Sequence, residues 1–182
     1  MTWTIPDFGT ADLLTSAREG TRRLRVDLGQ TGFFEGREFR TFYEYSVPSG
    51  QSVYLRATVP LNIILFSTSL TLDAGTLRMT LLAGGTDGGT WTPVPVFPKN
   101  TMTDRPAYTG QVQIHTGGTH SGGTLLDVVR LLSETAGNRA STVGGQVADE
   151  RGVGPGVYYY RLENIDGQTA NGVFSAFWEE RP

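Results

Sequence analysis

Residues 51–83 read QSVYLRATVPLNIILFSTSLTLDAGTLRMTLLA. Val53, Leu55, Ala57 and Val59 recur at every second position, as do Leu77, Met79 and Leu81. A strand turns successive side chains to opposite faces, so this spacing lines one face of a strand, whereas a helix needs a period near ~3.6. Pro60 and Asp73-Ala74-Gly75 punctuate the runs, and the second has the composition of a tight hairpin. Outward from this stretch the alternation continues in Val112 and Ile114, in Tyr158, Tyr160 and Leu162, and in Phe174, Ala176 and Trp178. Turn residues separate the runs: Val47-Pro48-Ser49-Gly50, AGGTDGG at 83–89, TGGTHSGG at 116–123 and RGVGPG at 151–156. Asp166-Gly167 to Asn171-Gly172 reads as the turn of a terminal hairpin.

Strands are expected near 22–29, 37–46, 51–59, 61–66, 68–73, 76–83, 111–115, 124–132, 157–164 and 172–179. That count suits an all-β fold, a two-sheet antiparallel sandwich or jelly roll. Residues 10–19 are open to a short helix, with Leu13, Leu14 and Ala17 on one face. Residues 125–132 are open to both readings, and their paired valines and flanking glycine pairs favour strand. The first 21 residues lose the alternation. They hold Trp3, Ile5 and Phe8 around Pro6 in an irregular frame, which predicts an N-terminal arm over 1–21 and a sandwich domain over 22–182.

The 182-residue chain is long enough to bury a core, and 38% hydrophobic against 18% charged residues is a globular balance. No apolar run approaches the ~20 residues that span a bilayer, so no membrane partner is expected. MTWTIPDFGT lacks the basic start and apolar stretch of a signal peptide. The chain has no cysteine, which excludes disulfides, thiolate metal sites and cysteine nucleophiles. A net charge of −3 argues against a nucleic-acid binder that relies on a general basic surface. Lys99 is the only lysine, and every other cation is arginine, a residue suited to bidentate pairs at interfaces.

Patterns that could carry chemistry are weak. HTGGTH at 115–120 contains both histidines, and Asp127 or Asp87 could complete a zinc set. A spacing of five inside a glycine loop is no ligand pattern, so His115 and His120 are read as solvated turn residues and no metal or cofactor is expected. The glycine loops have no P-loop lysine and sit in no βαβ unit. The acidic pairs Glu35/Glu38, Asp149/Glu150 and Glu179/Glu180 are read as solvated or arginine-paired. Neighbours such as Glu179 and Glu180 point to opposite faces of a strand, and a glycosidase needs facing carboxylates. No serine occupies a nucleophile elbow. The chain is therefore expected not to be an enzyme.

The aromatic pattern says more. On strand 37–46, Phe39, Tyr43 and Tyr45 share one face while Phe42 points the other way. Tyr159 and Phe177 likewise lie opposite the alternating apolar series of their strands. Two apolar faces imply that the outer one is covered, by an arm, a long loop or another subunit. Phe42, Tyr159 and Phe177 are accordingly candidate oligomer contacts. Trp3, Ile5, Phe8, Arg22, Arg23 and Arg25 are candidate docking residues for a partner. The proline run GTWTPVPVFPKN at 89–100 must be extended and cannot be a central strand. It suits a crossing from one sheet to the other or packing along a partner.

GGTWTPVPVFPKNTM at 88–102, QVQIHTGGTHSGGTLLDVVRLL at 111–132, DERGVGPGVYYYRLEN at 149–164 and the ending GVFSAFWEERP resemble structural proteins of tailed-bacteriophage virions. The resemblance covers about residues 30–182 and brings no transferable site motif. It implies a β-sandwich head-decoration or cement protein that is a homo-oligomer, a trimer in that family. It would be assembled in the host cytoplasm and bound to the major capsid protein or another virion protein. The alternative is a receptor- or glycan-binding module of a tail fibre, with Trp91 or Tyr108 stacking on sugar.

Overall fold

The computed structural model describes residues 31–104, 107–132 and 150–182. The expected arm over 1–21, its boundary, the strand near 22–29 and the possible helix over 10–19 lie outside the described residues. So do the docking candidates Trp3, Ile5, Phe8, Arg22, Arg23 and Arg25. The compact unit considered below spans Gly32–Pro182.

A four-residue helix, α1 (Thr31–Phe34), leads into the strands. The long ones are β1 (Glu38–Val47), β2 (Ser52–Val59), β3 (Asn62–Leu70), β4 (Thr76–Ala83), β10 (Thr124–Leu132), β12 (Gly156–Asn164) and β13 (Ala170–Arg181). Short strands fill the gaps: β5 (Thr86–Gly88), β6 (Thr92–Val94), β7 (Val96–Pro98), β8 (Gln113–Thr116), β9 (Thr119–Ser121) and β11 (Arg151–Val153). A five-stranded sheet runs β11-β3-β13-β1-β7, a six-stranded sheet runs β10-β4-β12-β2-β8-β6, and β5 with β9 forms a separate ribbon. The two large sheets form an antiparallel sandwich. Among the described residues no helix is long and apolar enough to cross a membrane.

The period-two residues build the core as expected. Leu55, Leu77, Leu162, Phe174 and Trp178 are all buried between the sheets, as are Phe39 and Tyr45 of β1. The segment 124–132 is strand, paired along β4 with a bulge between Leu125 and Asp127. Segments 61–66 and 68–73 fall on one strand, β3, which continues through a bulge opposite Phe177 and Trp178 and ends at Leu70, so 71–73 is not strand. A bulge adds one residue and shifts the alternation, so one strand reads as two.

The hairpin readings need correction. Asp73-Ala74-Gly75 joins β3 to β4, and residues 165–169 join β12 to β13, but each pair is split between the two sheets. Composition marks where the chain reverses; it does not say whether the next strand pairs with the last or crosses the core. The proline run does cross the sandwich. β6 is the edge of the six-stranded sheet and β7 the edge of the five-stranded sheet, positions where missing amide donors cost least.

Candidate interaction surface

The outer face of the five-stranded sheet carries an aromatic row. Phe42 is 49% exposed and Phe97 38% exposed, and their rings stack at 5.4 Å and 8°. Phe66 and Phe177 form a second stacked pair at 4.8 Å. Arg40, exposed on β1, lies in register with Phe97 on one side and Phe177 on the other. Lys99 places its ammonium 4.0 Å from the Phe177 ring centroid. Cations over ring faces add attraction without removing apolar area. Phe42 and Phe177 were legible from alternation. Phe66 and Phe97 were not, because the bulge displaces one from its series and the proline run hides the other.

One end of this face is an ion network. Glu38 and Glu179 sit directly opposite each other on β1 and β13 and are both buried. Lys99 Nζ is 3.0 Å from Glu38, and Glu179 has Arg181 at 2.9 Å and Arg37 at 3.7 Å. Arg37 also pairs with Glu35. Burial pushes the Glu179 carboxyl up, and the neighbouring Glu38 adds to this, while Arg181 and Arg37 pull it back. The arginine pairing expected for Glu35 and Glu179 is present. Glu180 departs from it: it points inward, is fully buried, and is held by loop amides and a tyrosine.

The outer face of the six-stranded sheet is different. There the β5–β9 ribbon folds over Tyr159, which is 3% exposed. His120 stacks on that ring at 3.8 Å, and its Nε2 is 2.8 Å from the Gly84 carbonyl oxygen. Trp91 lies 6.1 Å from the same ring and carries the Arg56 guanidinium at 4.8 Å. Arg56 donates to Asp87 at 2.7 Å. Burial pushes Asp87 up, but hydrogen bonds from Tyr159 and Arg56 and the charge of Arg56 outweigh it and hold the carboxyl low. The Tyr159 hydroxyl is pushed up to about 12 by burial and by its bond to Asp87.

The glycine loops make this packing possible. A Cβ on Gly118 would lie 2.1 Å from the Trp91 ring, and one on Gly85, at φ 108°, would lie 2.2 Å from His120 Nε2. His120 is thus a buried packing residue and not the solvated turn histidine expected. His115 lies half-buried on β8, with no partner for Nδ1 among the described residues. Among the described residues no three His, Asp or Glu side chains converge as a metal set. Tyr159 is covered from within the chain and offers next to no area to a partner. Trp91 is engaged by Arg56 and Tyr159, and the Tyr108 hydroxyl donates to Glu180 at 2.9 Å.

Comparison with protein-family models, with curated proteins and with solved structures finds no match for this chain.

Proposed function

We propose that this chain is a non-catalytic assembly module of a tailed-bacteriophage virion: a head-decoration protein that self-associates, as a trimer, and binds the outer surface of the capsid. The observation that carries the assembly reading is the exposed Phe42–Phe97 stack with Phe66 and Phe177 beside it. Stacked phenyl rings left half in water gain when a partner covers them. Full burial of an exposed phenyl contributes about 1.5–3 kcal/mol, so covering the half still in water adds roughly half of that per ring, before the cost of association is subtracted. A stable interface needs on the order of 1,000 Å² in total, so the patch would form its centre, and Arg40 and the Lys99–Glu38 network its polar rim. The virion reading draws on the resemblance of residues 88–102, 111–132, 149–164 and 172–182.

Light scattering at tens of micromolar, a concentration that populates any interface of about micromolar affinity, tests self-association. The expected mass is three times 19.8 kDa, falling to 19.8 kDa in the Phe42→Asp/Phe97→Asp double variant with its circular dichroism retained. A wild-type monomer overturns self-association. Electron microscopy of intact particles tests the location, and density for the sandwich on the tail alone overturns head decoration.

A further inference from the structure

Between the two sheets lies a cavity of about 340 Å³. Ala57, Ile114 and Tyr160 line it from the six-stranded sheet, and Ile63, Ala176 and Trp178 from the five-stranded sheet. Leu126 and Arg151 also line it, and both reach solvent, so the cavity opens to the surface beside β10 and β11. Its origin is two small residues. Ala57 follows Leu55 and precedes Val59 on β2, and Ala176 stands between Phe174 and Trp178 on β13. Each places a methyl group where its neighbours carry large side chains. Interiors pack at crystal-like density, and a void forfeits the contacts its lining atoms would make. A space this large between otherwise close-packed sheets is well beyond a packing defect, and falls in the range of small-molecule pockets.

The chemistry of the wall selects the ligand. Its hydroxyls and charges have partners: the Tyr160 hydroxyl lies 3.5 Å from Thr68 Oγ1, the Tyr158 hydroxyl donates to the Gly154 carbonyl at 2.9 Å, and Arg56 donates to Asp87 at 2.7 Å, with its Nε left without a partner among the described residues. Arg151 at the rim is paired with Asp127 at 3.0 Å. A charged ligand would lose its hydration with no free counter-charge among the described residues to replace it, whereas an apolar one loses nothing. An apolar cavity of ~150 Å³ holds one benzene, so this one holds roughly ten to fourteen carbon atoms. We propose that the inter-sheet cavity is a binding site for one uncharged, hydrophobic small molecule of that size.

The test uses naphthalene as probe and 1-naphthoate as its charged counterpart, titrated into the full chain and followed by amide chemical shifts. Saturable binding of naphthalene is expected, with 1-naphthoate weaker by about tenfold or more. Ala57→Leu and Ala176→Leu fill the cavity from opposite walls. Each is expected to keep or raise Tm, because the added atoms enter a void, and to weaken naphthalene binding by about tenfold or more. Four results overturn the proposal: no saturable binding to the wild type; 1-naphthoate binding as tightly as naphthalene; naphthalene binding unchanged in both folded variants; or both variants unfolded or lowered in Tm, which marks a core already packed.

Discussion

Glu180 accepts hydrogen bonds from the Tyr108 hydroxyl at 2.9 Å, from Gln111 N at 2.9 Å and from Val112 N at 2.9 Å, with Trp178 Nε1 at 3.5 Å. A fully buried carboxylate met by donors on every side ties the loop before β8 to the last strand. Glu180→Gln keeps the shape but turns an amide NH₂ toward backbone N–H groups, leaving a buried donor without an acceptor. The expected loss is about 3 kcal/mol. At about 2–4 °C per kcal/mol for a chain of this size, that is a fall in Tm of about 6–12 °C by calorimetry. A change within about 1 °C would contradict this account of Glu180. His115 gives a pH signature. Burial first, and the Arg56 charge second, hold its imidazole below the ordinary value of 6.5. As pH falls, the unfolded chain takes up this proton before the folded chain does. The stability the group contributes is therefore full above about pH 6.5 and lost as pH falls below it. The drop in Tm from about pH 7.5 to about pH 5.5 is expected to be smaller in His115→Gln than in the wild type, and identical profiles would sink the assignment.

At the scale of elements, the β5–β9 ribbon is a cover for one outer sheet face, positioned by residues without side chains. Gly118 is the clearest case, since its backbone lies against the Trp91 indole and any Cβ must displace it. Gly118→Ala is expected to cost about 1–3 kcal/mol through overpacking, and to change tryptophan fluorescence as the indole shifts off Arg56. Gly167→Ala is the internal comparison. Nothing lies within 4 Å of its Cβ position, so Tm is expected to stay within about 1 °C. Equal effects of the two substitutions would show that the ribbon does not depend on that close approach.

For the whole molecule, the two outer faces differ in what they leave open. The six-stranded sheet covers Tyr159 with its own ribbon, carries the Arg78–Glu163–Arg161 ion pairs further along, and leaves the aliphatic Val128 and Leu132 half in water on its β10 edge. The five-stranded sheet leaves Phe42 and Phe97 half in water. Association through one patch meeting its own copy closes as a two-fold dimer. A trimer requires that patch to meet a different surface on the next subunit. The measured mass therefore separates two geometries as well as testing self-association. A particle of twice 19.8 kDa would overturn the trimer, and its loss in the Phe42→Asp/Phe97→Asp variant would keep the aromatic face as the contact.

Much of the fold was legible because strand alternation is a local property. Val53 to Val59 need only their own backbone geometry to line one face, and the Gly and Pro clusters need only their own φ preferences to end a strand. The crossing made by the proline run was legible for the same reason, since missing amide donors confine it to sheet edges. The partner of each strand was decided by tertiary structure. Asp73-Ala74-Gly75 reverses the chain whether β4 lies beside β3 or across the core, and burial of both inner faces chose the second. The same holds for the functional surfaces. Tyr159 and Phe42 are alike in sequence, each an aromatic opposite an apolar series. One is covered because two glycine loops, some 70 and 40 residues away in the chain, fold over it, while the other has no such cover within the described residues. Ala57 and Ala176 make a cavity only because two sheets bring them to the same place, a juxtaposition no local period encodes.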